Sequence, residues 1–169
     1  MKILNILKVT RNNLFKKENI FFIFFITFIF SLDRFSKILV INNFNKNQHY
    51  VNDYLNLDLI WNTGIGFGLL STNSSILYEL TTIIIIIVIL VLFIVMVNST
   101  IVQKIYFSFI SGGALSNLYD RILFNAVPDF IDLHYGSFHW FTFNVADIFI
   151  TIGIIMFLIH DLKKNDKKI

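Results

Sequence analysis

The chain contains no cysteine. That excludes a disulfide framework, a thiolate metal site, a lipidated cysteine and a cysteine nucleophile. Charge is scarce as well. Asp, Glu, Lys and Arg make up 15% of the 169 residues, against about 25% in an ordinary soluble domain. Together with a hydrophobic content of 56%, this excludes a disordered segment, a nucleic-acid-binding tail and most soluble enzymes. Proline occurs once, at Pro128, and no internal repeat or long linker is visible. The composition therefore predicts a polytopic membrane protein folded as a single domain over residues 1–169.

A helix crosses a bilayer core with roughly 20 apolar residues. Four stretches meet that length, at about 19–41, 76–97, 101–123 and 141–159. The first is read as a retained helix, because no small-x-small cleavage site follows it and Asp33-Arg34 interrupts it. Lysine and arginine placement sets the orientation. Lys2, Lys8, Arg11, Lys16 and Lys17 precede the first helix, Lys104 sits by the turn between the second and third, and Lys163, Lys164, Lys167 and Lys168 follow the fourth. Both termini are expected to be cytoplasmic, which leaves 42–75 and 124–140 as extracytoplasmic segments. The formal charge of +3 then divides. The cytoplasmic side sets ten basic residues against Glu18, Asp161 and Asp166, a net +7, and the outer half carries a net −4.

The outer segments have their own signals. Tyr54 to Trp61 alternates as a half-buried strand does. The glycines of Asn62-Thr63-Gly64-Ile65-Gly66-Phe67-Gly68 mark turns or close backbone approach. Pro128 should stop the third helix before Val127 and leave Asp129 on irregular backbone near the membrane surface.

Ionisable groups within membrane helices cost at least a few kcal/mol and point to function. Here they gather at one depth. Asp33 and Lys37 are spaced i,i+4, Asn117, Asp120 and Arg121 form a stripe, and Asn144, Asp147 and Thr151 form another. All converge on the outer leaflet. Asp129 can face Asp147 there, and two carboxylates at one site share a proton. The ionised member can activate water and the protonated one can donate to a peptide. Spacing alone leaves this dyad open against an ion-binding or structural role. The bland reading of Asp33 with Lys37 is an orienting ion pair. Asp120 is expected to pair with Arg34 or Arg121, and Gly112, Gly113 and Ser116 to permit helix contact. His134 and His139 lack His-Glu-x-x-His spacing and show no third ligand, so they are read as interfacial or solvated and no metal or cofactor is expected.

The residues also resemble a known family, bacterial lipoprotein signal peptidase (signal peptidase II). Leu32-Asp33-Arg34-Phe35-Ser36-Lys37 is similar to its Asp-x-x-x-Lys block, and 62–68 to its Asn-x-Gly-x-x-Phe block. Residues 112–121, GGALSNLYDR, resemble its Gly-Gly-Ala-x-x-Asn-x-x-Asp-Arg block. Val127-Pro128-Asp129-Phe130 and Phe143-Asn144-Val145-Ala146-Asp147 match the last two. The resemblance implies four transmembrane helices with a small extracytoplasmic β-rich cradle, an all-α membrane fold otherwise. It implies an aspartic peptidase with Asp129 and Asp147 as catalytic residues. Asn62, Gly64, Gly113, Asn117, Arg121 and Asn144 would shape the site or bind substrate, and Asp33, Lys37 and Asp120 would support it. The implied substrate is a prolipoprotein carrying diacylglycerol on its lipobox cysteine, cut before that cysteine. Membrane lipids are the other expected partners, nucleic acid is not, and a monomer in the bacterial inner membrane is expected. Three positions depart from the family: Ser116 replaces a usual glycine, Ile65-Gly66 a common Ala-Ala pair, and Phe141 a common proline. The rival reading is a non-enzymatic ion- or proton-handling protein. The apolar run from Ile83 to Val97 counts against it, because a transport path needs polar groups through the full depth.

Overall fold

The computed structural model describes residues 2–43, 49–64 and 75–166. Among them the chain forms α1 (Lys2–Leu14), α2 (Lys17–Asn43), β1 (His49–Asn52), β2 (Leu55–Asn62), α3 (Ser75–Val97), α4 (Ile101–Phe124), β3 (Val127–Tyr135), β4 (Phe138–Phe143) and α5 (Val145–Asp166). The protein is mostly helical, with one antiparallel sheet of order β1-β2-β3-β4.

Helices α3 and α5 are apolar enough over Tyr78–Val97 and Val145–Lys164 to cross a membrane, with mean hydropathy 3.5 and 2.0. Helices α2 and α4, with 27 and 24 residues, are also long enough. Their windows are diluted by the charged groups they bury, Asp33 and Lys37 on α2 and Lys104, Asp120 and Arg121 on α4. The outer faces of all four are apolar. Phe21, Phe24, Phe28, Ile84, Ile87, Leu90, Ile122 and Ile155 are all exposed. Polar groups thus turn inward and hydrocarbon outward, the reverse of a soluble bundle.

Helix α4 is the centre, packed against α2, α3 and α5. Two adjacent glycines permit this. A Cβ on Gly112 would lie 2.8 Å from the Ile29 Cβ of α2, and one on Gly113 would lie 2.5 Å from the Ala146 carbonyl oxygen of α5. Helix α4 ends at Asn125, whose φ of 53° is left-handed and whose N–H donates to the Arg121 carbonyl at 3.2 Å.

The chain then enters β3 at once, which corrects one expectation. Asp129 stands on a regular strand, opposite Ile60 of β2, with Pro128 opposite Trp61. Pairing with β4 begins only at Ile131, opposite Phe143. The missing N–H of Pro128 therefore costs no bond on that side. Gly136, at φ 58°, turns β3 into β4. The strand β4 also takes Phe141 to Phe143, so the last helix starts at Val145 and not near 141. The basic N-terminal segment is itself helical, as α1. It is tied to the end of α3 by Asn98, which donates to Thr10 at 2.8 Å and accepts from Asn13 at 2.9 Å. Lys104 is buried and ion-paired to Glu18 at 3.3 Å. Of the glycine-rich block, Ile65 to Gly68 lies outside the described residues, as do Lys46, Lys167 and Lys168.

The two glycine contacts should respond differently to substitution. Gly112→Ala meets the Ile29 Cβ at 2.8 Å and Cγ2 at 2.9 Å, and Ile29→Ala removes the Cγ2 contact while keeping the Cβ, so it should restore only a small part of a thermal stability loss of about 1–3 kcal/mol. Gly113→Ala meets backbone, and no side-chain trimming should restore it. Thermal unfolding in detergent would check both, and rescue of Gly113→Ala by Ile150→Ala would contradict the contact.

Candidate active site

Two acidic side chains enter one cavity of about 260 Å³, lined also by Asn62, Ile85, Asn117, Arg121, Asn144 and Ile150. They are Asp129, from the start of β3, and Asp147, from the first turn of α5. Both are almost fully buried.

Each of their four oxygens accepts one N–H. Asp129 Oδ1 accepts from Asn144 Nδ2 at 2.6 Å and Oδ2 from Asn62 Nδ2 at 2.8 Å. Asp147 Oδ1 accepts from Asn117 Nδ2 at 2.9 Å and Oδ2 from the Asn144 backbone N–H at 3.2 Å. Asn144 joins the two. It precedes α5 and its Oδ1 accepts the Asp147 N–H at 3.0 Å, while the Asp147 carboxylate returns to the Asn144 N–H. This is a reciprocal capping box. The same geometry that starts the helix also fixes one acid and, through Nδ2, holds the other. Burial, reinforced by the neighbouring Asp147 charge, pushes the Asp129 carboxyl from its ordinary 3.8 up to about 7. The Asn62 and Asn144 hydrogen bonds pull the other way.

Asn62 is positioned in turn by accepting the Gly64 N–H at 2.7 Å, a turn closed by the asparagine side chain. Arg121 donates to the Gly64 carbonyl at 2.6 Å and to the Asn117 carbonyl at 3.3 Å. It braces the segment beyond β2 and does not bond either acid.

Beneath the cavity lies an ion cluster. The Lys37 ammonium is wholly buried and has three acceptors: Asp33 Oδ2 at 2.6 Å, Asp120 Oδ2 at 2.7 Å and Asn117 Oδ1 at 2.8 Å. Asn117 therefore links Lys37 to Asp147, accepting from one and donating to the other. Asp120 also pairs with Arg34, not with Arg121. It turns toward α2 while its stripe-mates Asn117 and Arg121 face the cavity. Asp33 Oδ1 accepts the Ala146 N–H at 2.7 Å, one of the free donors at the start of α5. Ser116 donates to Asp33 Oδ2 at 2.7 Å, so the serine in place of a glycine binds α4 to α2. Gly113 admits Ala146 beside Asp147. Every predicted site residue thus falls in one connected network. His139 is half exposed, as expected, but His134 is nearly buried, and Asp132 stands with both as the third group that their spacing did not announce.

The family described as Signal peptidase (SPase) II matches residues 25–163. The chain belongs to the signal peptidase II family. Lipoprotein signal peptidase of Pelagibacter ubique (strain HTCC1062) is 43% identical over 143 residues, 83% of this chain and 86% of that one. The Anaplasma phagocytophilum (strain HZ) enzyme of the same name is 37% identical over 82% of this chain and 90% of its own. A bacterial membrane enzyme solved by the in meso method at 2.3 Å resolution superposes with a TM-score of 0.71 at 30% identity, covering 88% of this chain and 91% of that one.

Lys37 should be the group whose loss is felt most. Lys37→Met leaves buried Asp33 without a cation and Asp120 with Arg34 alone, and should destabilise by about 3–5 kcal/mol. Adding Asp33→Asn should recover part of that, measured as a double-mutant cycle by thermal unfolding. Strict additivity would contradict the cluster.

Proposed function

We propose that this chain is an aspartic endopeptidase that removes signal peptides from diacylglyceryl-modified prolipoproteins, with Asp129 and Asp147 as its dyad. The observation that carries the reading is the amide clamp. Two buried carboxylates line one cavity, and every one of their oxygens has a neutral N–H donor. Neutral donors orient the acids without supplying the positive charge that would ionise both. Each oxygen keeps a further lone pair for a proton or a water.

In this mechanism the pair holds one proton. The ionised member takes a proton from a bound water, which attacks the scissile carbonyl. The protonated member donates to the carbonyl oxygen, and the proton is later passed to the leaving amine. No covalent intermediate is formed. Asn62, Asn117 and Asn144 hold the acids, Arg121 and Gly64 shape the wall, Gly113 lets α5 approach, and Asp33, Lys37 and Asp120 support the whole. The remaining walls suit a lipidated substrate. Ile85, Val127, Ile150 and Ile154 line the cavity, and a second cavity of about 250 Å³ beside Asp147 is walled by Leu133, Phe141, Phe143 and Ile148.

We infer that α2, α3, α4 and α5 cross the inner membrane, with both basic termini cytoplasmic and the sheet outside. That topology sets the dyad near the outer face, where acyl chains anchored in the membrane would hold the bond to be cut. A monomer completes the site, since all its named groups come from one chain.

Asp129→Asn and Asp147→Asn should each lower cleavage of a diacylglyceryl-modified precursor by about 10²–10⁴-fold or more while leaving detergent thermal stability near wild type. The unmodified precursor should be cut poorly by the wild type. Full activity in either variant would refute the dyad, and equal cleavage of both precursors would refute the substrate class.

The pH profile carries a sign. With the Asp129 carboxyl at about 7, activity should fall on the alkaline side near that pH as the shared proton is lost. It should fall again in acid as the second carboxylate is protonated. Asn62 favours the Asp129 anion, so Asn62→Ala should move the alkaline limb of kcat/KM to higher pH. A downward shift would contradict the assignment.

A further inference from the structure

The outer half of the sheet carries a second polar constellation that peptide cleavage does not use. Asp129 and Asp132 are three apart on an unbroken strand, so they face opposite sides of the sheet. On the side away from Asp129, Asp132 and His134 share a face. Asn56 of β2 lies opposite Asp132, and His139 of β4 lies opposite His134. The last pairing depends on an irregularity. Leu133 pairs with Phe141, so a regular ladder would set Trp140 against His134. One extra residue in β4 sets His139 there instead, and re-aiming a side chain is what such bulges do.

Three observations point to a ligand. One ligand atom from each of Asp132, His134 and His139 lies within 4.8 Å of the others. Asp132 Oδ2 is 2.8 Å from His139 Nδ1 and 3.9 Å from His134 Nδ1, and the imidazoles stack with centroids 5.3 Å apart. Donor atoms in a tetrahedral site with bonds of about 2.0–2.2 Å stand about 3.3 Å apart, so the atoms are near enough, and one imidazole would turn out of the stack to aim its nitrogen at a shared ion. Next, Asp132 is buried, and among the described residues it pairs with no lysine or arginine. A buried carboxylate needs a positive partner. Last, Asn56 is 6% exposed, its Oδ1 has no hydrogen-bond partner, and its Nδ2 lies 3.2 Å from His134 Nδ1. A half-turn of that amide exchanges the two atoms and points the unpartnered oxygen at the cluster.

We propose that Asp132, His134 and His139 form a divalent transition-metal site, with the Asn56 amide oxygen as a fourth donor. Two imidazoles with a carboxylate suit zinc-class ions. His139, half exposed, gives the ion a way in. Bound metal would clamp β2, β3 and β4 together three residues from Asp129, making the site a structural brace and leaving the peptidase chemistry metal-free.

The test uses the full-length, tag-free protein in detergent, stripped with chelator and titrated with zinc alone. The wild type should bind about one zinc per chain and gain thermal stability. His139→Ala and His134→Ala should each weaken binding by more than about 100-fold and abolish the thermal gain, since even groups behind the ligands are worth 10–100-fold. Asn56→Ala should weaken it by about tenfold. His160→Ala should bind zinc as the wild type does. Because His139 is half exposed, its variant should fold and keep the test decisive even where His134→Ala does not. Absence of stoichiometric zinc in the wild type, or unchanged binding in His139→Ala, would overturn the proposal and leave an Asp–His hydrogen-bonded cluster only.

Discussion

The rest of the site depends on one buried cation, the Lys37 ammonium, and on its having three acceptors for its three N–H bonds. Removing an ammonium from water costs several kcal/mol, repaid only by close, complete pairing. Asp33 and Asp120 supply opposite charge and Asn117 supplies the last acceptor. Those acceptors lie on α2 and α4, and each has a second obligation. Asp33 takes a backbone N–H of α5, Asp120 takes Arg34, and Asn117 holds Asp147. The cluster therefore fixes the relative register of α2, α4 and α5 at the depth of the cavity. An apolar contact of equal area could slide. A buried ion cluster cannot slide without leaving a charge unpaired.

Charge balance explains why the proposed dyad should keep a proton. Among the described residues, the buried and nearly buried ionic groups around the cavity are three cations (Arg34, Lys37, Arg121) and four carboxylates (Asp33, Asp120, Asp129, Asp147). With one proton on the dyad the assembly is neutral. With none, it carries a negative charge in a poorly solvated setting. The rise of the Asp129 carboxyl to about 7, driven first by burial, is the local expression of that imbalance. Arg121 is already in that count, and its guanidinium bonds the carbonyls of Gly64 and Asn117 and not the two acids.

Much of this was legible in the residues because membrane-embedded charge is rare. The stripes on 33–37, 117–121 and 144–151 marked residues that the structure brings together, and the helices that carry them. What misled was punctuation. Pro128 was read as the end of regular structure, yet a proline at the start of a strand, before β4 joins, costs the ladder nothing there. Asn144-x-x-Asp147 was read as a stripe on a helix already under way. It is the cap that starts the helix, and the cap is what joins the acids. Asp132 and His134 share a face by strand alternation alone, but His139 joins them only through a β-bulge, and no spacing rule in one sequence announces a bulge. Helix α1 was missed because its basic residues were read for topology alone.

The strand β3 shows how one short element can carry two kinds of chemistry. Alternation of side chains gives it two faces. One presents Asp129 to the cavity with Leu133 beside the second apolar pocket, and the other presents Asp132 and His134 to the proposed metal. The strand is held between β2 and β4, and β2 ends in Asn62, itself a ligand of Asp129. Anything that stiffens β2 against β3 on the outer side must also steady the Asn62–Asp129 bond on the inner side, since both run through the same ladder. A dyad whose acids sit on different elements, one on a sheet and one on a helix, needs both elements fixed to within a fraction of an ångström. The helix has its anchor in Lys37 and Asp33. The sheet lies away from that cluster, and its outer face carries the Asn56, Asp132, His134 and His139 group, which is the physical reason to look for a second clamp there.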